Sequence, residues 1–335
     1  MKNLLYIGNK LSKHGVTPTT IEILGPLLEQ ERFVLSYSSS QKNKVLRFIA
    51  MLWSVLRHRK VDYVLIDTYS TSNFWYAFAT SQLCRLFGLK YIPILHGGNL
   101  PFRLKNYPKI CSMIFKNSFR NVAPSLFLIN QFKTAGFENL IYIPNAIELK
   151  NYPFLEREKA RPNLLWVRSF AKIYNPTMAV AVFDSIKKKY PEATLCMVGP
   201  EKDGSLLNAK QRAQELGLDI LFTGKLSKED WIKESSAYDI FINTTHFDNM
   251  PVSVVEAMSL GLAVVSTNVG GIPFLLEDQK EAILIPDSDV EKMVEAIDRL
   301  IGDSELVFKI TTNARRKAEQ FDWNVVKKEW MTILK

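Results

Sequence analysis

Asp248 and Glu256 stand eight positions apart in the segment Asp248-Asn249-Met250-Pro251-Val252-Ser253-Val254-Val255-Glu256-Ala257-Met258, just after an apolar run ending at Asn243. Pro251 suits the first position of a helix, where the N–H it lacks would have no intrahelical acceptor. The N–H groups that follow, with the positive end of the helix dipole, make a site for phosphate oxygens. Asp248 then lies at its mouth and Glu256 further along the helix, so the two acids bracket a ligand. The same acids also suit plain roles, Asp248 as a helix cap and Glu256 as a solvated helix residue, since helix starts are normally acidic.

A second group is Trp166-Val167-Arg168-Ser169-Phe170-Ala171-Lys172-Ile173-Tyr174-Asn175-Pro176. A strand ends at Arg168, Lys172 follows in a loop, and Asn175-Pro176 starts a helix by cap and first-position logic. Cations beyond the carboxyl end of a parallel strand face the crevice where open α/β sheets bind ligands. Arg offers a planar fork of donors and Lys a mobile point charge, a pair that suits a diphosphate; two solvated surface cations are the plainer alternative. Asn268-Val269-Gly270-Gly271-Ile272-Pro273 repeats this logic, its glycines allowing the backbone to approach a ligand. His96, in Leu95-His96-Gly97-Gly98, either donates to a ligand hydroxyl or is a satisfied structural residue. Gly8 to Pro18 is neither the spaced-glycine dinucleotide fingerprint nor a Walker loop, and leads to a helix capped by Thr17 or Thr19. Asp287-Ser288-Asp289 has the spacing of some Mg²⁺ sites but sits where both acids serve as cap and dipole partners, so no metal is expected.

The elements that must hold these residues alternate short apolar runs with amphipathic stretches, the pattern of βαβ units around a parallel sheet. Strands are expected at Leu4–Ile7, Val61–Ile66, Leu89–Leu95, Asn121–Ala123 and Leu140–Ile143. A second series falls at Asn163–Val167, Ala193–Val198, Ile220–Phe222, Tyr238–Asn243, Leu262–Ser266 and Ala282–Ile285. Domains are expected at 1–150 (plus about 318–335) and 163–317, joined by a polar linker at 151–162. Trp323, Val326, Trp330 and Ile333 recur at helical spacing, so a last helix buries one face.

With 335 residues, 47% of them hydrophobic, disorder and disulfide scaffolds are excluded and two domains are expected. The net charge of +9 is uneven: residues 1–160 hold 21 Lys+Arg and 9 Asp+Glu, whereas residues 161–335 hold 22 and 25. The first half therefore meets something anionic, be it a membrane, a nucleic acid or a phosphorylated substrate. Three scattered cysteines predict buried thiols in a reducing compartment. The start of the chain lacks the apolar core of a signal peptide, and no stretch has the ~18 apolar residues of a membrane span. A cytoplasmic protein is expected, attached at most to a membrane face.

These motifs resemble glycosyltransferase family 4, retaining enzymes of the GT-B fold, over nearly the whole chain. The resemblance is carried by Leu221-Phe222-Thr223-Gly224, Ala237 to Asn243, Val269-Gly270-Gly271-Ile272-Pro273, Ile143-Pro144-Asn145-Ala146 and Trp323. The family's acid pair falls on Asp248 and Glu256 before Ala257-Met258, with the first acid shortened to Asp, and its Gly-Arg…Lys-Gly segment departs to Val167-Arg168…Lys172. The resemblance implies an α/β GT-B fold, two Rossmann-like domains facing across a cleft, with the C-terminal helix returning to the first.

By the same resemblance, Glu256 would bind the donor ribose and Asp248 the transferred sugar, while Arg168 and Lys172 would neutralise the diphosphate in place of a metal. Gly224 and Lys225 would edge the base. Asn249, Met250, Pro251, Val252 and Ser253 would hold the donor, their backbone receiving phosphate oxygens, and Gly15 and His96 would close the site from the other domain. The partners implied are a nucleotide-sugar donor, a substrate rather than a cofactor, and a lipid-linked saccharide or polysaccharide acceptor in cell-surface polysaccharide biosynthesis. The first domain would receive the acceptor at the inner face of the plasma membrane. Arg47, Arg57, Arg59, Lys60, Arg103, Lys105 and Lys109, with Lys42 and Lys44, are its candidate anionic-membrane side. The apolar stretch Val45–Leu56 is either an interfacial helix or a core helix with solvated ends. The competing functions are a nucleotide-sugar epimerase of this fold, which leaves the basic half without a role, and a nucleic-acid-binding protein, which lacks an aromatic RNA-binding signature or helix-turn-helix. No nucleic-acid partner is expected.

Overall fold

The computed structural model describes residues 1–14 and 18–335; Gly15 and Thr17 of the sequence reading lie outside the described residues. The chain divides into two compact units, Met1–Ala146 with Trp323–Lys335, and Ile147–Asp322.

In the first unit β1 (Asn3–Ile7), β2 (Val34–Ser38), β3 (Tyr63–Thr68), β4 (Tyr91–Leu95), β5 (Asn121–Ala123) and β6 (Leu140–Tyr142) form a sheet in the order β2-β1-β3-β4-β5-β6. Every neighbouring pair is parallel. Strands covered by helices on both faces become continuous apolar runs, which is why Leu4–Ile7 and Ile92–Leu95 were legible. β2 was not expected: it is an edge strand, Val-Leu-Ser-Tyr-Ser, mostly half-buried, so its sequence is half polar. The last helix, Trp323–Ile333, buries Trp323, Val326, Trp330 and Ile333 against Leu4, Tyr6, Ile21 and Val122. Lys327 pairs with Glu31 at 2.8 Å and the Tyr63 hydroxyl donates to the Lys335 carbonyl at 2.9 Å, so the chain end returns to the first unit.

In the second unit β7 (Asn163–Val167), β8 (Thr194–Val198), β9 (Leu221–Gly224), β10 (Ile240–Asn243), β11 (Ala263–Thr267) and β12 (Ile283–Ile285) run in the order β12-β11-β10-β7-β8-β9, again all parallel. Alternate residues feed two cores, Leu164, Trp166 and Ile242 on one face, Leu165, Phe241 and Val264 on the other. The strand order reverses between β7 and β10, and the carboxyl ends of strands at such a switch point bound the crevice in which ligands bind.

The stretch 151–162, expected as a linker, packs into this unit. Tyr152 and Arg157 are buried, and Arg157 donates to Asp239 Oδ1 at 3.2 Å and to the carbonyls of Tyr238 and Leu260 at 2.7 and 3.0 Å. A paired, buried Arg inside a charge run reads in sequence like a solvated one. Among the described residues, no helix is long and apolar enough to cross a membrane.

Candidate active site

Arg168 follows β7 directly, and its backbone N–H donates to the Val198 carbonyl at 3.0 Å. A Cβ on Gly199 would lie 1.7 Å from the Arg168 carbonyl, so only glycine lets the ends of β7 and β8 come together here. The guanidinium is mostly buried, ion-paired through Nη2 with Asp248 Oδ2, within 3.5 Å of Ser253 Oγ through Nη1, and 4.2 Å from the centre of the Tyr174 ring. Burial lowers its pKa from the ordinary value, while Tyr174 and the nearby charge of Glu256 act in the opposite sense. One cation thus links the segment 166–176 to the segment 248–258.

Asp248 is placed by the turn after β10. Thr244 Oγ1 donates to the carbonyls of Tyr174 and Asn175 at 2.8 and 2.9 Å, and Thr245 Oγ1 to that of Phe247 at 2.8 Å. From the other side, Gly271 N–H donates to the Asp248 carbonyl at 2.8 Å. A Cβ on Gly271 would stand 1.8 Å from the Asn249 carbonyl oxygen, and Gly270 has φ +54° with the Asp248 carbonyl 2.3 Å from its ideal Cβ. The backbone at these two glycines is closely packed. They let the 270–271 turn press against the 248–249 backbone and set the position of Asp248.

The helix begins one residue later than expected, Val252–Ser259, with Pro251 as its N-cap in extended conformation. The first N–H groups of a helix have no intrahelical acceptor and here open beside Arg168, the requirement for an oxyanion pocket. Met250 and Asn249 are buried, Ser253 is 9% exposed and Val252 half-buried.

Glu256 is no solvated helix residue: it is 3% exposed. Its Oε1 accepts from the Tyr152 hydroxyl at 2.8 Å and from Lys228 Nζ. Burial, then the Glu256 charge, raises the Tyr152 pKa far above the ordinary phenol value, so it stays a donor. Tyr152 and Lys228 were missed by sequence reasoning. Tyr152 lay in the supposed linker, and Lys228, the first residue of a helix capped by Ser227, carries no motif. Lys172 is exposed in the turn 172–174, its N–H bound to Asp203 Oδ2 at 3.0 Å. Gly224 ends β9 at φ +70°, its carbonyl accepting from Gly199 N–H at 2.8 Å, with half-buried status and Lys225 next to it.

The suspected metal pair is otherwise engaged: Asp289 caps a helix by accepting from Lys292 N–H at 2.9 Å, and Asp287 lies 2.9 Å from His246 Nδ1. In the first unit His96 is 6% exposed, its Nε2 2.9 Å from Asp67 Oδ1 and its ring stacked on Tyr69. Two of the basic residues grouped as a membrane side are held inward instead. Arg47 is 6% exposed and donates to Asn9 Oδ1 at 3.1 Å, and Arg103 donates to the Ser70 carbonyl at 2.8 Å while lying over the Tyr107 and Phe74 rings. Arg57, Arg59, Lys60, Lys105 and Lys109 are exposed.

Most of the second unit falls within a known family model. The family model of glycosyl transferases group 1 matches residues 150–317. A glycosyltransferase of Haemophilus influenzae is 26% identical over 191 residues, 52% of this chain and 54% of that protein. The sulfoquinovosyl transferase SQD2 of Arabidopsis thaliana is 32% identical over 150 residues, 43% of this chain and 28% of that protein. The matches therefore span about half of these relatives or less. The solved structure of Anabaena Alr3699/HepE in complex with UDP superposes with a TM-score of 0.80 at 17% identity, covering 100% of this chain and 99% of the other. Two parallel Rossmann-like sheets with a returning terminal helix are thus the GT-B fold, and the chain belongs to the glycosyl transferases group 1 family.

Proposed function

We propose that the chain transfers a sugar from a nucleotide-sugar donor to a saccharide acceptor, lipid-linked or polysaccharide, with retention of anomeric configuration and without a metal. The observation that carries the reading is Arg168, buried at the switch point between Asp248 and the start of the helix Val252–Ser259. A diphosphate leaving group needs charge neutralised where its negative charge develops. Arg168 and the helix N-terminus supply this in a site mostly shut from water, where such contacts gain strength. Glu256, ion-paired with Lys228 and hydrogen-bonded by Tyr152, is the acceptor for ribose hydroxyls. Asp248 orients the transferred sugar, and Lys172 closes over the departing diphosphate. UDP in the HepE complex favours a uridine donor. Positioning and charge stabilisation then drive departure through an oxocarbenium-like state, with attack from the face that the leaving group vacates. The setting is the cytoplasmic face of a membrane, in assembly of cell-surface polysaccharide.

The test is nucleotide diphosphate release by the full chain from a panel of UDP- and GDP-sugars in EDTA, followed by NMR of the transferred product. Release in EDTA with an α product from an α donor is expected. An inverted product refutes the mechanism, strict dependence on added Mg²⁺ refutes metal independence, and an altered sugar still on its nucleotide would make the protein an epimerase.

A further inference from the structure

We propose that the outer face of the helix Lys44–Arg57 docks the protein on an anionic lipid surface. The helix has two apolar sides where its core needs one. Met51 and Val55 are 2% and 0% exposed among Leu5, Ile7, Val64 and Ile66. Val45, Leu46, Ile49 and Trp53 are 65, 55, 56 and 63% exposed. At about 100° per residue these four fall within an arc of about 100°, opposite Arg47, Met51 and Val55. The sequence left core and interface as alternatives for this helix, and its two apolar sides have room for both, one on each side.

The charge around this face says what covers it. Lys42 and Lys44 stand at one end and Arg57, Arg59 and Lys60 at the other, all exposed, and no acidic residue occurs between Glu31 and Asp62. A second copy of the chain would bring these cations against their equivalents with no carboxylate on the helix to answer them. Anionic headgroups answer the cations, while the headgroup–acyl boundary takes Trp53 and the aliphatic side chains. At the C-terminal end, Arg57, His58, Arg59 and Lys60 line an open surface groove beside this face. For its purpose the docking face rests on the lipid-linked acceptor of the proposed function, but vesicle binding is measured without turnover, so the two readings fail separately.

The experiment is co-sedimentation of the full chain with phosphatidylcholine vesicles, with and without phosphatidylglycerol, at low and high salt. Binding to the mixed vesicles alone, weakened by salt, is expected. Replacing Lys42, Lys44 and Lys60 by Gln lowers affinity by about five-fold per cation. Ile49→Ser with Trp53→Ser leaves the protein in the supernatant, with its thermal unfolding and its nucleotide diphosphate release in solution unchanged. Failure to sediment with mixed vesicles, equal binding by the double variant, or a concentration-dependent dimer that the double variant abolishes would each overturn the proposal.

Discussion

Gly271→Ala changes one hydrogen to a methyl group, yet it strikes the backbone that holds Asp248. The new Cβ would lie 1.8 Å from the Asn249 carbonyl oxygen and 2.7 Å from its carbon, against the 3.0 Å that real Cβ atoms respect. The φ of Gly271 is −87°, open to alanine, so the effect is steric alone. The 248–249 turn must open by about 1.2 Å, and a misplacement of about 1 Å at a reacting group lowers turnover by about 100-fold. Overpacking of about 1–3 kcal/mol accompanies it, which lowers the melting temperature by roughly 2–12 °C for a unit of this size. The assay is the initial rate of nucleotide diphosphate release from the best donor of the panel, with calorimetry of the same samples. Gly302→Ala, at the end of a helix with open space around its Cβ, is the control and leaves both readings intact. A Gly271→Ala protein within about three-fold of wild-type turnover, ~0.7 kcal/mol, would refute the view that this contact places Asp248.

Other substitutions test the remaining contacts. Arg168→Lys keeps a charge but not the fork that reaches both Asp248 and Ser253, so turnover should fall by about 100-fold or more; near-normal kinetics would make Arg168 a mere point charge. Tyr152→Phe removes a buried donor from Glu256 and should lower stability in urea unfolding by about 1–3 kcal/mol, with weaker nucleotide binding by calorimetry. Burial pushes the Asp239 carboxyl up, but hydrogen bonds from Arg161 and the charges of Arg161 and Arg157 outweigh this and hold it below the ordinary value. Its contribution is therefore complete above pH ~4 and lost as pH falls through the depressed folded value. Asp239→Asn should be less stable at pH 7 yet show a shallower loss between pH 4 and 2, roughly, and an unchanged slope would contradict the assignment. Burial pushes the Cys84 and Cys111 thiols up to about 12 and Cys196 to about 11, so a thiol reagent at neutral pH should label none before unfolding and all three after.

Much of this protein is determined by its sequence alone. The apolar runs that became β1 and β3–β12, the cap Asn175 before Pro176, and the terminal helix with its buried tryptophans were legible because periodicity and cap chemistry are local. Arg168 and Asp248 stood out as candidates because strand ends and helix starts announce themselves by residue type, and Glu256, inside its helix, only through its spacing from Asp248. The tertiary structure alone decided which of these meet. Arg168 finds Asp248 across 80 positions because β7 and β10 are neighbours, and Glu256 is closed in by Tyr152 and Lys228, from a supposed linker and an unmarked helix start. It also turned Arg47 inward and Ile49 and Trp53 outward, an assignment that a helix apolar on both sides leaves open until its neighbours choose the buried face. Side-chain type follows from the sequence, but burial and distant partners follow from packing, and packing depends on which strands lie side by side in each sheet.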